Sequence, residues 1–335
     1  MHTEYPPPVK PNSLALSIQD LSINFQTVRG TLKALRQVSI DIPRKRIVGL
    51  VGESGCGKST VINAILRLLA ENARIQSGVI EFQGQDILQM TPDALRDMRG
   101  NRISVVFQDP MTALNPVLSI GRQMIDIQYR EKTSRAQKTA RAAAMLTRVG
   151  IPDARKRLEQ YPHQFSGGMR QRIAIAMALM AKPDLLIADE PTTALDATLE
   201  IQIIDRLRKL HQDIGCSILF VSHHLGLVAE FCDEVVVMYA GETVESGNVR
   251  DIFYRAAHPY TRALLQCDPA RIKEKSPVLP TIPGEIPDMV NLPDACIFAA
   301  RCPIKQHGCP LTPPPAHDIQ PGHQARCHLS ARKDD

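Results

Sequence analysis

Gly52-Glu53-Ser54-Gly55-Cys56-Gly57-Lys58-Ser59 is the stretch that decides the fold of this chain. It fits G-x-x-x-x-G-K-[ST], a loop whose backbone cradles phosphate. The apolar run Ile47-Val48-Gly49-Leu50-Val51 precedes it and reads as a buried strand. Val61-Ile62-Asn63-Ala64-Ile65-Leu66-Arg67-Leu68-Leu69 follows it and reads as a helix. Strand, glycine loop and helix together turn the pattern into a site. Glycines let N–H groups converge on phosphate oxygens, and a helix N-terminus brings a positive dipole end to the same place. The candidate phosphate contacts are therefore Gly52, Ser54, Gly55, Cys56, Gly57, Lys58, Ser59 and Thr60. Lys58 would reach the β- and γ-phosphates, and Ser59 would hold Mg²⁺.

Working outward, Leu16 and Ile18, then Leu21, Ile23 and Phe25, alternate by two with one slip. With a second strand near residues 34–42 they predict an antiparallel sheet ahead of the loop. A further strand is expected at 78–82, and Thr91-Pro92-Asp93 marks a helix start. Ile103-Ser104-Val105-Val106-Phe107 reads as a short buried strand. Residues 116–180 carry a helical pattern, whose Lys/Arg-rich part at 130–148 reads as a solvated face. Beyond it strands and helices alternate through Tyr239, which predicts a parallel sheet covered by helices. Past Cys267 prolines cluster at 277, 280, 283, 287, 293 and 313–315, and no strand or helix period is visible.

The bulk properties are those of a globular protein: 335 residues, 44% hydrophobic, 22% charged. A net charge of +5 permits an anionic partner without requiring one. Tryptophan is absent and aromatics make up 4%, so stacking platforms for nucleobases are not expected. No apolar run is long enough to span a bilayer, and the first residues lack the apolar segment of a signal peptide. A cytosolic location is expected, where eight cysteines serve as thiols or metal ligands rather than disulfides.

Asp189 ends the apolar run Leu185-Leu186-Ile187-Ala188, and Glu190 follows it. An aspartate at a buried strand end beside a phosphate loop is placed for Mg²⁺, and the adjacent glutamate for the attacking water. Ser166-Gly167-Gly168-Met169-Arg170-Gln171-Arg172, upstream of that pair, resembles the signature sequence of ABC-transporter ATPases. Phe107-Gln108-Asp109-Pro110 resembles that family's glutamine loop, Ala194-Leu195-Asp196 its D-loop, and Val221-Ser222-His223 its histidine switch. The resemblance covers about residues 14–265. It departs from common usage at Phe165, Met169 and His224 without removing a catalytic group.

The resemblance implies a RecA-like P-loop α/β core with an antiparallel β-subdomain and a helical subdomain at about 109–180. Residues 1–13 are an irregular lead-in, and 266–335 form a cysteine-containing C-terminal extension. Gln108 is expected to meet Mg²⁺ and the lytic water, His223 to hold the γ-phosphate and orient Glu190, and Phe25 to stack on adenine. Ser166, Gly167, Gly168 and Met169 would act on the site of a partner subunit, with Asp196 linking the two sites. One copy of each motif per chain implies an ATP-dependent dimer, a heterodimer by preference.

His258-Pro259-Tyr260-Thr261-Arg262-Ala263-Leu264-Leu265 and the tail resemble oligopeptide/dipeptide and nickel importers. That resemblance implies ATP hydrolysis at the cytoplasmic face of the inner membrane, two permease subunits, an extracytoplasmic solute-binding protein and no nucleic acid. It also implies a 4Fe–4S cluster on Cys296, Cys302, Cys309 and Cys327, with zinc as second choice and four free thiols as the plain alternative. A soluble ABC ATPase of DNA repair or translation, or a regulatory subunit without turnover, are the other functional classes. Such repair and translation ATPases carry tandem cassettes or a coiled-coil insertion, and neither is visible in the sequence.

Overall fold

The computed structural model describes residues 13–109, 113–192, 197–268 and 280–330. The chain opens with strands β1 (Leu14–Thr27), β2 (Gly30–Pro43) and β3 (Ile47–Val51), helix α1 (Lys58–Ile65), and strands β4 (Ala73–Phe82) and β5 (Gln85–Asp86). Helix α2 (Pro92–Met98) and strand β6 (Ile103–Val106) lead to helices α3 (Ile120–Ile127), α4 (Arg135–Arg148), α5 (Ala154–Arg157) and α6 (Gly167–Met180). Then come β7 (Leu185–Asp189), α7 (Ala197–Ile214), β8 (Ser217–Val221), α8 (Leu225–Phe231), β9 (Glu234–Tyr239) and β10 (Glu242–Asn248). Helices α9 (Val249–Arg255) and α10 (Pro259–Gln266) and the pair β11 (Ala316–Gln320) and β12 (His323–Arg326) complete the order. Two compact units result: one runs to Met90 and resumes at Ser222, the other is Thr91–Val221.

The first unit holds an antiparallel sheet in the order β2-β1-β4-β5. The slip in the alternation of β1 is a bulge: the register shifts between Ile18 and Leu21, and Asp20 takes φ 46°. The extra residue keeps Leu16, Ile18, Leu21 and Ile23 all buried. A second run of strands is ordered β11-β12-β10-β9-β3. Here β3 and β9 are parallel and the other neighbours antiparallel. All five residues of β3 are buried, as an unbroken apolar run in a covered parallel sheet requires.

Two sequence expectations are corrected in this unit. Helix α1 stops at Ile65 rather than near Leu69, because Arg67 turns left-handed at φ 50° and Leu68 is exposed. The tail forms β11 and β12 although no period announces them. These strands are short and polar, and they are held by pairing on β10 and by one buried polar cluster. The Glu245 carboxylate accepts from Ala257 N (2.6 Å) and His258 N (3.0 Å) and meets His323 Nε2 at 2.7 Å. Both Glu245 and His323 are 1% exposed, so the carboxylate's partners replace its water.

In the second unit β6, β7 and β8 run parallel in that order, again on apolar runs. Thr91 caps α2 with Pro92 at its first position, as the sequence predicts. Ser119 caps α3, and Ser134 with Gln137 forms a capping box on α4. Helix α4 buries only Ala142 and Leu146, so its basic residues form the solvated face expected of them. Strand β6 ends at Val106, one residue early, and Phe107 is exposed.

His258 gives the first unit a pH dependence. Its Nδ1 accepts from Tyr260 N at the start of α10. Burial pushes its pKa down to about 4, helped by Arg262 and opposed by Glu245. The folded chain therefore keeps this imidazole neutral while the unfolded chain protonates it near pH 6.5. The stability it contributes is complete above about 6.5 and is lost as the pH falls toward 4. Going from pH 7.5 to 5 is expected to cost about 2 kcal/mol in urea denaturation. His258→Asn keeps a capping acceptor and should flatten that part of the profile; an unchanged profile would remove His258 as its source.

Candidate functional site

Strand β3 delivers the chain into the loop at Gly52, and Lys58 opens α1. Gly52 takes φ 153°, and a Cβ there would lie 2.2 Å from Met238 O of β9. Gly57, the residue before α1, takes φ 106°, and a Cβ there would press on Leu35 Cδ2 at 2.8 Å. At Gly52 any side chain would collide with the backbone of β9, and at Gly57 the positive φ itself selects glycine. Lys58 Nζ turns inward and donates to Gly52 O (2.8 Å) and Glu53 O (3.1 Å), 3.7 Å from Cys56 Sγ. Burial raises the Cys56 thiol pKa, and the neighbouring ammonium partly offsets that rise. The Cys56 side chain is thus part of the floor, while Ser54, Gly55 and Ser59 face solvent and Thr60 is half-buried. Phe25, half-buried, lies in β1 opposite Leu32 and Ala73.

Glu53 is a residue that motif reading passes over. Its N–H donates to Tyr260 Oη at 3.0 Å, and its carboxylate takes both arms of Arg301, at 2.8 and 3.1 Å. Tyr260 lies in a segment quoted from the sequence for another reason, and Arg301 stands just before the expected cluster ligand Cys302. No local signal announces a pairing across 248 positions.

The second unit carries the acidic pair. Val106, the last residue of β6, sits opposite Ala188, and β7 runs one residue further, to Asp189. Asp189 closes β7, and Glu190 follows at φ 45°, its N–H donating to Val221 O at 2.9 Å. Gln108, two residues past β6, donates through Nε2 to Glu190 Oε2 at 2.9 Å. The sequence-predicted Gln108 and Glu190 are therefore in direct contact across 82 positions.

Ser166 caps α6, its Oγ accepting from Met169 N at 3.4 Å. Ser166 and Gly167 are exposed, Gly168 is buried and Met169 half-buried. Among the described residues, its chain neighbours and the helix's own backbone aside, no atom lies within 4 Å of the place a Gly167 Cβ would take, so this 14-residue helix presents an open N-terminus there. His223, in the first unit, is exposed at the entry to α8 with its ring edge-on to His224 at 4.7 Å. Asp196 lies outside the described residues.

The metal site expected from the tail is not formed as such. Cys296, Cys302, Cys309 and Cys327 are free thiols, the last two buried. Among the described residues no group of three or more His, Cys, Asp or Glu side chains is gathered to hold a metal ion. The four are neighbours nonetheless. Burial, together with the other three thiols, pushes Cys296 up to about 11. Burial and the nearby Cys327 and Cys309 raise Cys302 as well. Among the described residues no helix is long and apolar enough to cross a membrane.

Comparison with known proteins gives the same family from both ends of the chain. Residues 35–193 match the ABC transporter family and residues 244–309 the oligopeptide/dipeptide transporter C-terminal region. The dipeptide transport ATP-binding protein DppD of Bacillus subtilis is 44% identical over 95% of each chain. The oligopeptide transport ATP-binding protein OppD of Escherichia coli is 43% identical over 93% of this chain and 92% of its own. A dimeric ATP-binding cassette in a post-hydrolysis state, bound to ADP and Pi, superposes with a TM-score of 0.62 at 26% identity, covering 70% of this chain and 99% of that one. With relatives this similar over nearly the whole length, the chain belongs to the ABC transporter ATPases, in the branch that carries the oligopeptide/dipeptide transporter C-terminal region.

Proposed function

We propose that this chain is the ATP-binding and hydrolysing subunit of a peptide-class ABC importer, acting at the cytoplasmic face of the membrane. The observation that carries the hydrolytic part is the Gln108–Glu190 hydrogen bond. A phosphate loop alone would support only binding; a carboxylate oriented by an amide beside a strand-end aspartate supports turnover. The names of the relatives, dipeptide and oligopeptide transport proteins, support the substrate class.

In this reading Gly52 to Thr60 surround the phosphates, with Lys58 moving from its backbone carbonyls to phosphate oxygens. Ser59, Gln108 and Asp189 would hold Mg²⁺, which would supply charge neutralisation. Glu190 accepts a proton from the attacking water, Gln108 and His223 orient it, and Phe25 stacks on adenine. The open N-terminus of α6, with Ser166, Gly167, Gly168 and Met169, serves a γ-phosphate held by a second ABC subunit, and Asp196 links the two sites. Hydrolysis frees the γ-phosphate as Pi, and the dimer loosens once Pi leaves and takes with it the charge that joins the subunits. The dimeric cassette with ADP and Pi supports such a pairing. We favour a heterodimer, working with two permease subunits and a solute-binding protein. Residues 14–265 are read as the nucleotide-binding domain and 266–335 as the extension.

The four tail thiols lie near enough to one another to raise one another electrostatically. By the likeness of the tail to that of peptide importers, Cys296, Cys302, Cys309 and Cys327 are read as the ligands of a 4Fe–4S cluster, with zinc as second choice.

Two measurements test this reading. Glu190→Gln is expected to lower ATP turnover by at least about a hundredfold while ATP binding persists and the ATP-bound dimer becomes longer-lived; turnover at the wild-type rate would strip Glu190 of its role. Anaerobically purified protein is expected to contain about four iron and four sulfide per chain, lost on Cys302→Ser. Stoichiometric zinc without iron would refute the cluster.

A further inference from the structure

The C-terminal extension touches the phosphate loop itself. Arg301 is 9% exposed, and all five of its N–H donors are used. Nη1 donates to Glu53 Oε2 (2.8 Å) and Tyr239 Oη (3.3 Å), and Nη2 to Glu53 Oε1 (3.1 Å) and Ile282 O (3.0 Å). Nε donates to Pro283 O (3.0 Å). Two extension carbonyls therefore fix the guanidinium, and its free fork grips the Glu53 carboxylate from both oxygens. The guanidinium also lies over the Tyr239 ring, 5.7 Å from its centroid. Tyr239, Tyr260 and Phe298 pack beneath it with ring centroids 4.6 to 5.4 Å apart. This is a built contact rather than a surface ion pair.

The loop side of the contact is equally defined. Glu53 O is one of the two carbonyls that hold the Lys58 ammonium, and Glu53 N is held by Tyr260 Oη. Glu53 thus puts a negative charge inside the loop that must receive a polyanion. Left uncompensated, that carboxylate repels phosphate and is free to turn on its side chain toward it. Both problems are met by one bidentate guanidinium.

We propose that Arg301 is a positioning residue for ATP binding: from the extension it anchors and neutralises Glu53, and so holds the phosphate loop ready for polyphosphate. The extension is then a determinant of nucleotide affinity in its own subunit. This rests on the reading above that the loop binds ATP. By linkage, nucleotide binding tightens the hold on the extension as much as the extension tightens the hold on nucleotide.

The test uses the full-length chain, MgATP binding by calorimetry, and ATPase assays on the assembled transporter. Arg301→Ala is expected to raise Kd and KM for ATP about tenfold, or about 1.4 kcal/mol, with kcat at saturating ATP changed by less than about twofold. Because the penalty comes largely from a naked carboxylate, Glu53→Gln should cost less. Adding Arg301→Ala to Glu53→Gln should cost almost nothing more, and raised salt should shrink the Arg301→Ala deficit. Arg301→Lys, a point charge without the fork, should recover only part of the affinity. An unchanged KM in Arg301→Ala, or penalties that simply add, would overturn the proposal. If Arg301→Ala does not fold, Glu53→Gln still decides. MgATP should slow amide exchange in residues 280–302 of the wild type and not of Glu53→Gln, and equal protection in both would overturn it. Wild-type protein that fails to bind MgATP would instead defeat the functional reading on which this rests.

Discussion

A lysine ammonium lodged against two main-chain carbonyls sets the terms for the first unit. To offer Gly52 O and Glu53 O to Lys58, the loop must curl tightly, and the curl needs φ 153° at Gly52. That curl brings Gly52 against Met238 O, which only the parallel pairing of β3 with β9 supplies. Gly241, just past β9, then donates to Cys56 O, and Arg36 of β2 donates back to Gly241 O. Each contact leaves the next little choice. The loop backbone is therefore a fixed shape presented to a ligand, and little main-chain ordering remains to be done when phosphate arrives.

The second unit solves a different problem, that of holding a carboxylate in one orientation. Parallel strands that finish within a residue of each other put residues just beyond them side by side. Glu190 leaves β7 in a left-handed turn, a conformation that costs a non-glycine residue about 1 kcal/mol. Its N–H bond to Val221 O and the amide of Gln108 offset that cost. Strain of this kind collects at functional positions because the surrounding structure over-determines it.

What the sequence makes legible follows from range. The phosphate loop, the cap at Thr91 and the bulge in β1 each rest on residues within a few positions of one another, so their chemistry shows in the string. Gln108 and Glu190 could be named separately, yet their contact depends on strand order. The hairpin of β11 and β12 left no mark because its stabilising groups, His323 and Glu245, are polar and 78 positions apart. The grip of Arg301 on Glu53 is hidden for the same reason, behind a residue that the loop motif writes as x. Helix α1 ends short of its apolar pattern because Leu68 and Leu69 extend that pattern past Arg67, where the backbone turns away.

The placement of β12 on β10 bears on how this protein behaves in a crowded cell. Strand β10 would otherwise offer a row of unpaired backbone groups to any passing chain. β12 covers the middle of that row at Glu245 and Ser246, and the next edge outward belongs to β11, five residues long and carrying His317, Asp318 and Gln320. A short polar edge is a poor template for further strands. Sheet-to-sheet sticking is thereby discouraged along this margin of the first unit.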